Sequence, residues 1–196
     1  MIFKQGNSAE TVAATYTTKI AGIWSAMGLF DPHLQKAREL GFDRACELLT
    51  KEALSDIENR LLTAIHWAGQ AGANSAVKHV YHKELDAERE QSFLFYAICL
   101  ESLFCKRHEA EEVTERLSRR CARLLGTDTL EQESIYRDVK ELYNRRSDIV
   151  HEGGLRVSAK ELTDIRIYTC DSLIKMLTDD ELLAMNNAAF EQWFRN

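Results

Sequence analysis

Residues 129–154 read TLEQESIYRDVKELYNRRSDIVHEGG, and how this stretch is read decides the fold. Ile135, Val139, Leu142 and Ile149 recur at the spacing of one face of a helix that turns about 100° per residue. Thr129 with Gln132 has the form of a capping box, in which a hydroxyl and a side chain three residues on each satisfy the other's backbone N–H. Gly153-Gly154 ends the pattern, so the spacing predicts one long helix over 129–152. A helix of that length with one apolar stripe must bury it against other elements, and the rest of the chain offers only helices to do so.

Working outward, one proline and nine glycines in 196 residues give little punctuation, and a 45% hydrophobic content can fill a sizeable core. Helical periodicity predicts helices at roughly 9–28 (ending near Gly28), 31–40 (Asp31-Pro32 opening it, Gly41 stopping it), 43–50 and 52–71. Gly72 is the expected stop of the last of these, and GANSAVKHVYHKE is an irregular connection. Further helices follow at 86–106 and 109–125, then the long one at 129–152. Ser158 to Glu161 is a second capping box, opening a helix to about Thr178, and a last helix spans 180–194. No strand is expected. The fold class is therefore all-α, an up-and-down helical bundle over residues 51–196 with an N-terminal helical extension at 1–50.

Charge and cysteine usage narrow the function classes. A formal net charge of −6 argues against a broad electrostatic grip on nucleic acid, so such a contact would be local. Cys46, Cys99, Cys105, Cys121 and Cys170 are odd in number and form no CxxC or Cys/His cluster, which argues against a disulfide framework or a zinc site. No apolar run reaches the roughly 18 residues that would span a membrane. A cytoplasmic protein with no membrane contact, no metal and no cofactor is expected.

Two charges stand where apolar residues belong. Position 146 falls on the stripe of the 129–152 helix, and it is Arg146. In SFLFYAICLESLF, residues 92–104, Leu94, Ala97, Ile98 and then Cys105 mark a stripe whose middle holds Glu101. Burying either charge alone costs several kcal/mol, so they are expected to meet each other or a shared polar pocket. A plain ion pair fixing helix register and a functional pocket both fit that expectation.

Arg146 and His151 also form an R-x4-H pattern. With 15 arginines and six histidines, chance supplies roughly half a match at that spacing, and Arg60 and His66 supply a decoy R-x5-H. Context separates them. AICLESLF around Glu101, ARLLG at 122–126 and LYNRRSDIVHEG at 142–153, preceded by NRLLTAIHWAGQA, resemble the HEPN superfamily, specifically its Apea-like branch. The resemblance covers about residues 54–178 and leaves 1–50 unexplained. It implies an all-α bundle that dimerises, and a metal-independent endoribonuclease whose arginine and histidine meet across the dimer interface. Carried over by position, Arg146 and His151 are the catalytic pair, Ser147 is the polar second position of the motif and Glu101 is the acidic residue of the second core helix. One departure is the sequence His151-Glu152-Gly153, where the family often has histidine followed directly by glycine; the added carboxylate would repel a phosphate.

The chemistry fits those residue types. RNA carries its own nucleophile in the 2′-hydroxyl; an imidazole can take or return a proton, and a guanidinium offers a fixed fork to phosphate oxygens. Residues five apart lie about 140° from each other on an ideal helix. Arg146 and His151 therefore share a site only if the last turn unwinds or if two copies each contribute one of them. A homodimer acting on RNA is the expectation. Asn144 and Asp148 would orient the histidine or hold the helix end, and Tyr143 and Arg145 would support the site or touch substrate.

Other clusters read as structural. Arg60 and His66 read as surface and interface residues, and His79, His82 and Glu84 as a solvent-facing group. Arg116, Arg119, Arg120 and Arg123 alternate with Glu111, Glu112 and Glu115 as a salt-bridged helix face, with Arg120 and Arg123 available to steer RNA. Trp24, Trp67 and Trp193 belong to the core or an interface. Two competing functions remain. One is a non-catalytic HEPN bundle that binds a protein or nucleotide. The other is a module of a defence or toxin protein, restrained by a regulatory partner or a sensor domain.

Overall fold

The computed structural model describes residues 31–76, 86–105, 113–152 and 156–195. Among these residues it is all-helical, without strands. The helices are α1 (Asp31–Glu39), α2 (Phe42–Thr50), α3 (Asp56–Ala76), α4 (Asp86–Phe104), α5 (Val113–Leu125), α6 (Thr129–Glu152), α7 (Ala159–Thr178), α8 (Asp180–Ala184) and α9 (Asn187–Trp193). The helix expected at 9–28, Gly28, Trp24, the His79/His82/Glu84 group, Glu111, Glu112, Gly153 and Gly154 lie outside the described residues.

Two pairs of consecutive long helices run antiparallel. Ser92 Oγ donates to Ala71 O at 3.2 Å at one end of the α3–α4 pair, and Arg60 Nη2 donates to Leu103 O at 2.6 Å at the other. The α6–α7 pair is tied in the same sense by Tyr168 donating to Asp138 at 2.9 Å and by the Arg145–Glu161 ion pair at 3.1 Å. The centre of the bundle is α4, which packs against α3, α5, α6 and α7. Its Phe93, Tyr96, Ala97, Cys99, Leu100, Leu103 and Phe104 are all buried, so this helix is apolar nearly all the way round. Fully burying a side chain such as Phe93 or Phe104 stabilises by about 1.5–3 kcal/mol. From α6 the expected Ile135, Val139, Leu142 and Ile149 complete the core, together with Tyr143.

Residues 42–50 belong to the same packing. Leu48 is buried, α2 touches α3 and α7, and Arg44 pairs with Asp180. Gly41 makes this approach possible. Its φ of 90° is left-handed, and a Cβ there would stand 2.5 Å from Leu177 Cβ.

The structure corrects several element boundaries. The helix expected to stop at Gly72 continues to Ala76. Added Cβ atoms at Gly69 and Gly72 would meet nothing within 4 Å, so the glycines cost only about 1 kcal/mol each, and packing against α4 outweighs that. The cap of α6 is shifted one residue from Thr129/Gln132. Asp128 Oδ1 accepts from Glu131 N at 2.9 Å, and the Glu131 carboxylate accepts from Thr127 N at 2.8 Å. Aspartate outranks threonine as a cap, so Asp128 takes that place and Thr129 becomes the first helical residue. The single helix expected at 180–194 is two, because Asn186 caps a second start by accepting from Ala189 N at 2.9 Å. The Ser158–Glu161 capping box forms as expected, with bonds of 3.1 and 2.7 Å.

Candidate functional site

Glu101 lies in the last turn of α4, and Tyr143 and Arg146 lie one turn apart on α6. Where the two helices meet, Arg146 Nη2 comes within 3.6 Å of Glu101 Oε2. The same oxygen accepts the Tyr143 hydroxyl at 2.9 Å, and the Arg146 guanidinium carbon sits 5.7 Å from the centre of the Tyr143 ring. These three residues form one polar unit. It is not a core pair, however. The Arg146 and Glu101 side chains are 29% and 37% exposed, which puts them at the rim of the bundle. The inward stripe assigned to α4 from its sequence was ambiguous because that helix is apolar on most sides.

Tyr143, expected as a supporting or substrate-touching residue, is itself buried. Burial pushes its phenol above its ordinary titration range, and the Glu101 charge and hydrogen bond add to that, against the opposing pull of Arg146. Tyr143 therefore acts as a fixed hydrogen-bond donor that orients Glu101. Arg146 Nε is shielded from solvent and has no hydrogen-bond partner. That donor is unsatisfied within the fold, while the side chain as a whole is 29% exposed.

Arg145 turns away from this unit. It donates to Arg156 O at 2.8 Å and pairs with Glu161, so it fastens the end of α6 to the start of α7. Burial alone would raise the Glu161 carboxyl, but the Ser158 hydrogen bonds and the Arg145 charge outweigh it and hold the carboxyl below its usual range. Asn144, Asp148 and His151 are exposed, and Ser147 is half-buried. The helix continues through Glu152, so within one chain Arg146 and His151 stay on different faces. Of the expected site residues, the fold brings Glu101, Tyr143 and Arg146 together. It leaves Asn144, Asp148 and His151 in solvent.

A second charged cluster is one that sequence reading assigned to the surface. Arg120 is 8% exposed and bonds to Phe104 O and to both Glu191 carboxylate oxygens. Its guanidinium carbon is 5.3 Å from the Phe194 ring. Arg60, the decoy arginine, donates to Leu103 O, stacks 5.3 Å from the Phe190 ring and lies 3.9 Å from Glu191. Two guanidinia thus cap the C-terminal carbonyls of α4 and share one carboxylate. A signal was available in the sequence: position 120 falls among Leu117, Cys121 and Leu124 on the buried face of α5. The solvated-face reading holds for Arg119, which pairs with Glu115 at 2.6 Å, and fails for Arg120. His66 is exposed and edge-on to Trp67, whose ring packs 5.4 Å from Phe95. The Arg123 guanidinium carbon lies 5.2 Å from the Trp193 ring centre.

All five cysteine thiols are free; Cys99 and Cys121 are buried and Cys170 is exposed. Among the described residues no helix is long and apolar enough to cross a membrane.

The chain matches no model of a known protein family, no curated protein and no solved structure.

Proposed function

We propose that this chain is a HEPN-type, metal-independent endoribonuclease that works as a cytoplasmic homodimer, in a toxin or antiviral setting. The observation that carries the reading is the state of Arg146. Its guanidinium sits 3.6 Å from Glu101 at the rim of the bundle, stacked on Tyr143, with Nε lacking a hydrogen-bond partner. A guanidinium held this way, 29% exposed and only 3.6 Å from its carboxylate, is oriented yet can still turn its outer edge to a phosphate. Support also comes from the resemblance of residues 142–153 and of the segment around Glu101 to that superfamily. The five free thiols suit a reducing compartment.

In the proposed reaction His151 takes the proton of the RNA 2′-hydroxyl, and the 2′-oxygen attacks the adjacent phosphorus. Arg146 stabilises the charge that builds on the non-bridging oxygens. The bond to the 5′-oxygen breaks, that oxygen leaves with the electron pair and receives a proton from an imidazolium, and a 2′,3′-cyclic phosphate remains. One chain cannot present both groups to one phosphate, because they lie about 140° apart on α6. Two copies related by a two-fold axis would supply an Arg146 from one and a His151 from the other.

The exposure of His151 also fits a second reading, a binding bundle in which the Glu101–Arg146 unit only fixes helix register. Cleavage of single-stranded RNA in EDTA separates the two. Wild type should give cyclic-phosphate products, and both Arg146→Ala and His151→Ala should lose them. Undiminished cleavage by folded His151→Ala, or none by a folded wild-type dimer on any RNA, would favour the binding bundle.

A further inference from the structure

A polar groove of about 400 Å³ lies between α5, α6 and the residues that follow α9. Its lining includes Arg119, Arg123, Gln132, Glu133, Tyr136 and Phe194. Arg123 is the unusual member. Its guanidinium is stacked on Trp193 at 5.2 Å, its Nε is shielded and without a hydrogen-bond partner, and among the described residues it forms no ion pair. In a chain of net charge −6, a half-buried arginine without a carboxylate is poorly compensated unless an anion reaches it. Arg119 beside it uses Nε on Glu115 at 2.6 Å, which leaves the outer edge of its fork for a ligand. The Glu115 carboxylate is itself engaged by Tyr136 at 2.6 Å and Lys140 at 2.9 Å, so its charge is largely met within the protein.

The apolar wall is a cluster of packed rings. Phe194 stands edge-on to Trp193, Phe190 and Phe104 at 4.8, 5.0 and 6.0 Å. Glu191, three residues earlier, is clamped by Arg120 and Arg60. We infer that this groove binds a nucleotide unit, its phosphate on Arg123 and Arg119 and its base or sugar against Phe194 and Tyr136. The volume lies at the small end of the range for small-molecule sites, which suits one nucleotide rather than a folded partner. Two planar guanidinium forks match phosphate geometry. Glu133 at the rim would repel an acidic peptide, yet it can accept from ribose hydroxyls or a base amino group.

The groove needs neither Arg146 nor His151, so it stands or falls apart from the nuclease reading. Its nucleotide could be free, or one unit of a single strand that runs on toward Arg146, about 15 Å of helix from Tyr136. Calorimetric titration of the intact chain with inorganic phosphate, adenosine monophosphate and a 2′-O-methyl oligoadenylate hexamer, which cannot be cleaved for lack of a 2′-hydroxyl, tests this. The monophosphate or the hexamer should bind, with affinity reduced about tenfold by Arg123→Gln and about threefold by the exposed Arg119→Gln. Lys160→Gln, an exposed substitution on α7 away from the groove, should leave binding unchanged. Equal affinity per nucleotide would identify a free nucleotide as the ligand, and a much tighter hexamer would identify a single strand. The inference is overturned if neither probe binds at about 1 mM or if phosphate alone binds as well as the monophosphate. It also fails if binding survives both arginine substitutions, or is lost equally in folded Lys160→Gln.

Discussion

Arg120 and Glu191, 71 residues apart in the chain, meet inside the bundle with both carboxylate oxygens on the guanidinium. Arg60 reaches the same carboxylate from α3. This junction fixes the last helix against the end of α4, in whose final turn Glu101 sits.

Removing the shared carboxylate should therefore be costly. Glu191→Ala takes from two guanidinia, 9% and 15% exposed, the carboxylate they share. Breaking a buried pair in this way destabilises by about 3 kcal/mol. Glu191→Gln keeps an acceptor and should cost less. Urea unfolding followed by helical circular dichroism reads the difference, and a loss under about 1 kcal/mol for the alanine variant would show the junction to be weak.

At the rim the same chemistry should yield much less. Glu101 and Arg146 are about a third exposed, and a double-mutant cycle with Glu101→Ala and Arg146→Ala should give a coupling of only about 0.5–1 kcal/mol. Tyr143→Phe removes a donor to Glu101 and should cost about 1 kcal/mol. If the proposed nuclease reading holds, Arg146→Ala lowers cleavage by about a hundredfold or more, far beyond its effect on stability.

Acid tolerance should depend on Glu115. Hydrogen bonds from Tyr136 and Lys140, only partly opposed by burial, hold this carboxyl down at about 2 from an ordinary value of 4.5. A depressed folded-state value means that the unfolded chain binds the proton more tightly. The contribution is complete above pH 4.5 and is lost as pH falls toward about 2. Tyr136→Phe should thus destabilise the protein at pH 6 and narrow its gap to wild type at pH 2; a gap that is constant with pH would rule this account out.

Gly41 should tolerate no side chain. Its φ is 90°, and an added Cβ would approach Leu177 Cβ to 2.5 Å. Gly41→Ala is expected to cost about 2 kcal/mol or more, combining left-handed strain with the clash. Gly69→Ala is its control. That position lies in the interior of α3 with nothing within 4 Å of the new methyl group, so the substitution should stabilise by up to about 1 kcal/mol. Thermal melting of the two variants should move in opposite directions.

What could be read in the sequence was whatever depends on near neighbours in the chain. The α6 stripe, the Ser158–Glu161 box and the turn at Gly41 are local patterns, and each is present in the fold. Local competition produced the misread boundaries: Asp128 displaced Thr129 as the cap, and packing on α4 carried α3 past Gly72. In the candidate site, Arg146 with Glu101 was legible because each interrupts an apolar pattern. Tyr143 was not legible as their buried donor, because an aromatic ring at that spacing fits core and surface alike. Glu191 was beyond reach, since its partners lie on α3 and α5 and no spacing rule spans such separations. Arg120 was legible in principle from its place among Leu117, Cys121 and Leu124, but the alternating charges of α5 masked it.

The junction at Glu191 also bears on the order of assembly during synthesis. The α3–α4 hairpin pairs residues close in the chain and can form as soon as it leaves the ribosome. Its Arg60 must then wait, as must Arg120 once α5 has followed, until residue 191 emerges with the carboxylate that compensates both. Asn187, bonded to Asp56 across 131 residues, closes in the same late step. Locking of the α4 end, and with it the setting of Glu101, is therefore a closing event of high contact order, and until it occurs Arg60 and Arg120 lack the carboxylate they share.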